Sequence, residues 1–363
     1  MIVIYLLSFF ATMFSSVVVV ISGLFSGVHH KAKQAQDIHR APAARFGGAL
    51  IAVIVSCCTI FFIELSAQNE NTIRTILCVA YGVLLVGLVD DLFIEIRPRY
   101  RLFLVSLLSL WTNSILGGVG VVGFQTIDTI LAQSVLLDVF FAAFGAVCIV
   151  NAFNLIDGLN GLASGTAIIV ILGLALLAGH VGHSDLVIFL GLLAASCFGF
   201  WVINIITGKL LLGDCGAYFL GFILAQMSFH VNKLGGGTVS LSVISLFIYP
   251  LWETFFSIVR RLYFRRPAMA PDRRHLHHLL YTYLNNRFAE ITKKAHFANS
   301  LASLICLILP LLSMCFSVFF SGKNVHLILG FLIVICLYLI LYFGLTYLCK
   351  KQYYFDENRA AEG

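Results

Sequence analysis

The polar stretch that decides the fold of this chain runs from Asn151 to Gly161 and reads Asn-Ala-Phe-Asn-Leu-Ile-Asp-Gly-Leu-Asn-Gly. Apolar runs flank it at about 134–150 and 162–179, and each is close to the length that crosses a bilayer. A carboxylate such as Asp157 is costly at membrane depth unless it has a partner or lines a cavity. Polar residues recur every three positions, which fits a wide polar helix face, a locally tightened turn, or helix packing through small residues and amides. Such an array of oxygens also suits a hard cation or a nucleotide.

Composition extends this pattern to the whole chain. Of its 363 residues, 60% are hydrophobic and 11% are charged, whereas a soluble domain has about 25% charged residues. The ten cysteines form no Cys-x-x-Cys pair and are expected to pack as small apolar residues. The first apolar run lacks a basic start and a small-residue cleavage site, so we interpret it as a retained span. These features predict an all-α polytopic membrane protein.

Eleven apolar runs are candidate spans, which predicts about 10–11 transmembrane helices. The runs lie at about 3–25, 48–66, 75–90, 101–118, 134–150, 162–179, 186–206, 211–231, 239–258, 299–320 and 325–349. No internal repeat or soluble domain is visible in the sequence. We therefore interpret residues 1–363 as one integral-membrane domain that contains a His/Arg-rich loop at 259–298.

Basic residues are concentrated on one side of these spans. The loops of that side, together with the C-terminal tail, carry 20 of the 23 Lys and Arg residues. Under the positive-inside rule this side is cytoplasmic and the N-terminus lies outside, as in a bacterial inner-membrane protein. All four acidic or histidine-rich motifs lie in or beside these loops, so we expect them to share the cytoplasmic face.

Two adjacent acids end the third apolar run. Neighbouring helical side chains point about 100° apart, so we expect Asp90 and Asp91 to have different tasks, one facing a metal and the other a substrate hydroxyl or phosphate. The alternative is an ordinary helix end whose acids pair with Arg97, Arg99 or Arg101.

A further acid, Asp214, stands between glycines where another apolar run begins. The only cation close to it in sequence is Lys209, so a divalent ion is its simplest partner. Mg²⁺ favours carboxylates used together with substrate phosphates. The alternative is a proton-relay Asp, as in a transporter. Glu253, in the ninth run beside Pro250, is expected to line a cavity or to pair with an Arg.

Histidines cluster in the longest loop, at His275, His277 and His278. With Arg274 beside them, they suit a phosphate or pyrophosphate clamp. Asp272, three residues before His275, is a candidate N-cap for a short helix. The alternatives are a zinc site, which lacks a nearby cysteine, and a solvated basic loop.

In order and spacing, these motifs resemble those of the polyprenyl-phosphate N-acetylhexosamine-1-phosphate transferase family. The likeness is greatest to bacterial undecaprenyl-phosphate N-acetylglucosamine-1-phosphate transferases, and it extends from about His39 to His278. It rests on Asp90-Asp91, Asn154-x-x-Asp157-Gly-Leu-Asn160-Gly, Leu-Gly-Asp214-x-Gly-x-x-x-Leu-Gly221 and His275-x-His277-His278.

The resemblance implies transfer of a HexNAc-1-phosphate, with GlcNAc-1-phosphate expected, from a UDP-sugar to undecaprenyl phosphate. UMP would be released, Mg²⁺ (or Mn²⁺) would be required, and the product would initiate cell-surface glycan synthesis such as that of lipopolysaccharide O-antigen. A homodimer is left open. By this likeness the metal is held by Asp214, Asn154 and Asp91, and the lipid phosphate is oriented or deprotonated by Asp90 or Asp91. The nucleotide-sugar site is lined by Asp157, Asn160, Asn204 and Lys209. The pyrophosphate is held by Arg274, His275, His277 and His278.

The chain departs from the family pattern in places. The usual Gly-Asp-Thr-Gly-Ser run reads Gly-Asp-Cys215-Gly-Ala217, which removes two hydroxyls. Asn160 in place of Asp, and no Lys soon after Asp91, argue against the muramyl-pentapeptide branch. The competing function is a proton- or cation-coupled transporter, which would need no nucleotide and would keep its acids at mid-depth.

Overall fold

The structure is a computed structural model that describes residues 1–23, 43–92, 96–265, 274–292 and 295–362. In lipid each backbone polar group must be satisfied internally, so the apolar runs form helices. The helices of the first half are α1 (Ile2–Ser22), α2 (Gly47–Phe62), α3 (Ala67–Leu92), α4 (Pro98–Leu116), α5 (Gln125–Leu131), α6 (Val135–Ile156) and α7 (Leu162–His180). Those of the second half are α8 (Ser184–Thr207), α9 (Gly213–Leu234), α10 (Ser240–Ser245), α11 (Ile248–Tyr263), α12 (Leu276–Thr292), α13 (Ala295–Cys306), α14 (Ile308–Phe319) and α15 (Asn324–Glu362).

The predicted all-α polytopic fold is confirmed, and the protein is a multi-pass membrane protein. Each of the eleven predicted runs contains a helix or a pair of consecutive helices. Within the described residues, seven helical segments are long and apolar enough to cross a membrane. They are α1, α3, α6, α7, α8, the continuous segment formed by α13 and α14, and α15.

Several of the predicted runs proved too short, α3 and α6 among them, and the helix in the longest loop is longer than the short one predicted there. Helix α3 begins at Ala67 instead of about residue 75, and α6 continues to Ile156 instead of about residue 150. Polar residues in these extensions have partners in the protein, which hydropathy does not reveal. For example, the amide nitrogen of Asn69 donates to an Asp185 carboxylate oxygen at 2.7 Å. In the loop at 259–298, the histidine segment leads directly into the 17-residue helix α12.

Helix α9 lies at the centre of the fold and is buried over most of its length. It packs against α2, α3, α6 and α7. The close approach depends on glycines, because a Cβ atom at Gly48 of α2 would collide with the backbone of Gly216 in α9. Likewise, a Cβ atom at Gly87 of α3 would lie 2.5 Å from the backbone nitrogen of Cys215. The start of α9 is thereby held directly against α2 and α3.

A short parallel strand pair completes this end of the bundle. Strand β1 (Ala44–Arg45) pairs with β2 (Leu210–Leu211), with Ala44 opposite Leu210. The backbone nitrogen of Gly48 also donates to the Leu212 carbonyl at 3.0 Å. These bonds join the segment before α2 to the segment before α9. Arg45 is thereby placed beside the first turn of α9.

Candidate active site

The acidic motifs meet at one end of the helix bundle. Asp90 and Asp91 lie in the last turn of α3, and Asp214 lies in the first turn of α9. Asn154 belongs to the last turn of α6, and Asp157 caps that helix. The predicted convergence on one face is therefore seen in the geometry, because each of these helices begins or ends at the same place.

Arg101 of α4 joins two of the acids. Its Nη1 atom lies 2.9 Å from Asp90 Oδ2 and 2.7 Å from Asp214 Oδ2. The other oxygen of Asp90 accepts a hydrogen bond from the backbone nitrogen of Ile96 at 2.6 Å. The pairing of Asp90 with an arginine that follows it, given above as an alternative to a metal, is thus present, although the same arginine also reaches Asp214.

Asp91 has different partners from Asp90, as expected for adjacent positions on a helix. Its Oδ2 atom accepts a hydrogen bond from the backbone nitrogen of Cys215 at 3.0 Å. Its Oδ1 atom lies 3.9 Å from Arg45 Nη1 and is buried without a hydrogen-bond donor among the described residues. A buried carboxylate oxygen without a donor is unfavourable unless a cation or another ligand satisfies it.

The Asn/Asp stretch is not a continuous polar helix face. Helix α6 ends at Ile156, and Gly161 adopts a left-handed conformation with φ of 78° before α7 begins. Asn154, in the last helical turn, donates from its amide nitrogen to Asp214 Oδ1 at 2.9 Å. Burial and the negative charge of Asp214 raise the pKa of Asp157 well above its usual value, and the nearby Arg45 opposes this. The tightened-turn interpretation is therefore the correct one for this stretch.

The donor set of the predicted metal site consists of oxygen atoms and is incomplete. Within the described residues, no three His, Cys, Asp or Glu side chains form a metal-binding group. Mg²⁺ is normally bound by one or two carboxylates together with water and substrate phosphates, so a complete protein cage is not required. The unpartnered Asp91 Oδ1 and the Asp214 carboxylate fit such a partial site chemically.

The residues predicted to line a nucleotide-sugar site differ in what they contact. Asn160 is buried, its backbone nitrogen donates to Asn299 Oδ1 at 2.8 Å, and its own Oδ1 has no donor among the described residues. The Lys209 side chain is exposed. Asn204, in contrast, donates its amide nitrogen to the Leu210 carbonyl at 2.7 Å. This bond gives Asn204 a part in holding β2, which the sequence did not predict.

The histidine segment packs directly against the turn after Asp157. His275, His277 and His278 are all buried, and the His277 and His278 ring centroids are 4.4 Å apart. A Cβ atom at Gly158 would lie 2.6 Å from His277 Nε2. Burial lowers the pKa of His277 well below its usual value, and the neighbouring histidines add to this effect. The segment therefore packs against the acidic end of the bundle and is not a solvated loop, although the Arg274 side chain is exposed.

Two contacts of the site were missed by sequence reasoning. Glu253 pairs with His275, with 3.0 Å between Oε1 and Nδ1, whereas the prediction named an arginine or a cavity. Asn299 comes from α13, beyond the histidine segment, and carried no motif that marked it. The candidate helix cap Asp272 and the start of the family-like segment at His39 lie outside the described residues.

Comparison with known proteins finds a family match over the region that carries these acids. Residues 73–232 match the family model described as glycosyl transferase family 4. This matched region includes Asp90, Asp91, Asn154, Asp157 and Asp214.

Three curated relatives show the extent of the similarity. An undecaprenyl-phosphate alpha-N-acetylglucosaminyl 1-phosphate transferase of Thermotoga maritima is 32% identical over 54% of this chain and 57% of its own length. A decaprenyl-phosphate N-acetylglucosaminephosphotransferase of Mycolicibacterium smegmatis is 28% identical over 68% of this chain and 66% of its own length. A phospho-N-acetylmuramoyl-pentapeptide-transferase of Streptococcus pneumoniae is 30% identical over 57% of this chain and 64% of its own length. The chain thus spans about two thirds or less of these relatives.

The fold and the site define a polytopic membrane protein with an acidic centre at one end of its helices. Over residues 73–232 this chain is similar to glycosyl transferase family 4, and its relatives include polyprenyl-phosphate N-acetylglucosamine-1-phosphate transferases. The family resemblance inferred from the motifs is thereby confirmed.

Proposed function

We propose that the protein transfers GlcNAc-1-phosphate, or a related HexNAc-1-phosphate, from a UDP-sugar to undecaprenyl phosphate. The observation that supports this most strongly is the convergence of Asp90, Asp91 and Asp214 with Arg45 and Arg101 at one end of the bundle. An anionic acceptor and an anionic donor can react there only if positive charge offsets their repulsion. Acids at helix ends favour this function over a transporter, whose coupling acids belong at mid-depth.

The transfer conserves atoms in a simple way. A phosphate oxygen of the lipid attacks the β-phosphorus of the UDP-sugar, and the bond from this phosphorus to the bridging oxygen breaks. The electron pair leaves with UMP, and the product is the undecaprenyl-diphospho-sugar. Catalysis of such a reaction is largely a matter of positioning and charge stabilisation.

The chain's own side chains supply distinct parts of this arrangement. Asp91 and Asp214, with Asn154 beside them, would hold Mg²⁺ (or Mn²⁺), which when bound offsets phosphate charge. Asp90 has both carboxylate oxygens engaged by Ile96 and Arg101, so it is better suited to orient Arg101 than to accept a proton. Asp91 Oδ1 has no hydrogen-bond donor among the described residues, so Asp91 is the better candidate to orient or deprotonate the lipid phosphate.

The donor would bind on the other side of the acids. Asp157, Asn160 and Lys209 remain the proposed contacts of the nucleotide sugar, and the histidine segment with Arg274 is proposed to hold the pyrophosphate. The concentration of Lys and Arg in the loops at this end supports a cytoplasmic active site in the bacterial inner membrane, with the N-terminus outside. The product would then serve as the starting unit of a cell-surface glycan.

The proposal is tested with the purified full-length protein, undecaprenyl phosphate and Mg²⁺. UMP release is measured with UDP-GlcNAc, UDP-GalNAc and UDP-MurNAc-pentapeptide in parallel. We expect release with a UDP-HexNAc that depends on both lipid and metal, and none with the muramyl-pentapeptide donor. If no UDP-HexNAc yields UMP while lipid and metal are present, the proposed function is wrong.

A further inference from the structure

Among the residues that the structure describes, Glu253 is the most deeply buried acid outside the aspartate cluster. It lies in α11, one turn before Ser257, and its side chain is 0% exposed. Its Oε1 atom is 3.0 Å from Nδ1 of His275, which is also buried. A buried carboxyl group needs a hydrogen-bonded partner, because its removal from water is otherwise uncompensated. His275 is that partner.

This contact fixes the orientation of the His275 ring. Its Nδ1 atom is held against Glu253 Oε1 at 3.0 Å. Ser257 Oγ lies 3.0 Å from the same nitrogen and limits rotation of the ring further. With Nδ1 occupied in this way, Nε2 is the nitrogen left to face other groups. A carboxylate that orients a histidine from behind sets both its tautomer and its direction.

The His275 ring packs against the next histidine of the segment, so its orientation also constrains that ring. The His275 and His277 rings are nearly parallel, with centroids 5.4 Å apart. His277 in turn lies against Gly158, in the turn that follows Asp157. Glu253 therefore contacts the first of a set of packed histidine rings, and His277 of this set contacts the turn after Asp157.

We propose that Glu253 is a positioning residue that holds the histidine segment in the geometry required to bind the donor pyrophosphate. This inference rests on the proposed function, because it assigns Glu253 to that same donor site. Glu253 itself is too deeply buried to contact a substrate, so it acts through His275. Its loss is expected to weaken donor binding and to leave binding of the lipid acceptor unchanged.

The test measures KM separately for the UDP-sugar and for undecaprenyl phosphate in full-length variants. We expect Glu253→Ala to raise KM for the UDP-sugar about tenfold, within the range seen when a group that orients a ligand-binding residue is removed. Glu253→Gln keeps the side-chain volume and an acceptor oxygen, so its KM should rise only about threefold. A merely structural role would reduce the amount of active protein, which lowers kcat and changes neither KM.

A double-mutant cycle shows whether Glu253 acts through His275. In a His275→Ala background, Glu253→Ala should change KM for the UDP-sugar by less than about twofold, because their effects are coupled. The matched control is Asn69→Ala, which breaks another buried contact to a histidine, the 2.7 Å bond to His230, at the opposite end of α3. It should leave both KM values unchanged.

The outcomes separate this inference from the proposed function. If the wild type is active and both Glu253 variants keep its donor KM, the positioning role is overturned. If Glu253→Ala does not fold, Glu253→Gln decides alone, and a wild-type KM in that variant overturns the role. If the wild type releases no UMP from any UDP-HexNAc, the proposed function itself has failed.

Discussion

At the scale of single residues, the acids of the site are distinguished by their partners. Asp90 is held on both oxygens, Asp214 is held by Arg101 and Asn154, and one oxygen of Asp91 has no donor in the described part of the chain. Chemically equivalent carboxylates therefore have different availabilities for a cation or a substrate. These contacts distinguish Asp90 from Asp91, which the sequence could not do.

We expect Asp214→Asn to abolish most activity without unfolding the protein. The amide has nearly the same volume, but it removes the charge that Arg101 and a bound cation would both use. The rate of UMP release should fall on the order of 100-fold, as when an electrostatic contact to the reacting groups is lost. Thermal unfolding in detergent checks that the variant folds, and turnover at the wild-type rate would remove Asp214 from the site.

Arg101→Met is expected to lower stability as well as activity. The substitution leaves Asp90 and Asp214 partly buried without their shared cation, and breaking a buried ion pair in this way costs about 3 kcal/mol. Arg99→Met is the matched control, because Arg99 is exposed and donates to the neighbouring Tyr100 hydroxyl. Melting temperatures that fall equally in both variants would contradict this account.

At the scale of helices, the site depends on how closely α9 approaches α2 and α3. Gly48 meets Gly216 backbone to backbone, and Gly87 faces the backbone of Cys215. Asp214 is adjacent to both contacts, so the position of this acid follows from the packing of the three helices. The small residues here serve the site geometry as well as helix packing.

Gly48→Ala should therefore displace α9 and reduce activity. Its Cβ atom would overlap Gly216, which cannot yield because its atoms are backbone, and overpacking of this kind costs about 1–3 kcal/mol. Gly344→Ala is the control, since nothing lies within 4 Å of a Cβ atom at this helical position. We expect a lower melting temperature and slower UMP release only for Gly48→Ala. Wild-type behaviour of that variant would show that the close contact is not required.

At the scale of the whole molecule, the asymmetry of basic charge predicts the orientation in the membrane. The start of α3 carries the exposed Gln68, while the exposed Arg99 lies just beyond its far end, beside the acids. One position is at the start of α3 and the other is in the first turn of α4, beyond the far end of α3, so the two should be on opposite sides of the membrane.

Labelling of introduced cysteines tests this orientation. In intact cells a membrane-impermeant maleimide should label Gln68→Cys, whereas Arg99→Cys should react only after permeabilisation, because Lys and Arg are retained on the cytoplasmic side. The unsubstituted protein, with its ten native cysteines, gives the background. The reverse pattern would place the site on the outer face.

The sequence by itself determined the fold class, the approximate spans and the grouping of the motifs at one end. These properties follow from local hydropathy and from the alternation of loops between two sides, both of which can be read along the chain. It also indicated an oxygen-rich site at Asp91, Asn154 and Asp214.

Only the tertiary structure decided which groups touch. Arg101 reaches Asp214 across 113 positions of sequence, Glu253 contacts His275, and Asn204 donates to the Leu210 carbonyl. Such pairings depend on the distances and rotations between packed helices. The hydropathy pattern along one helix does not specify these distances and rotations. Several side chains at each helix end could have made the same contact, and only the packing of the helices selects one of them.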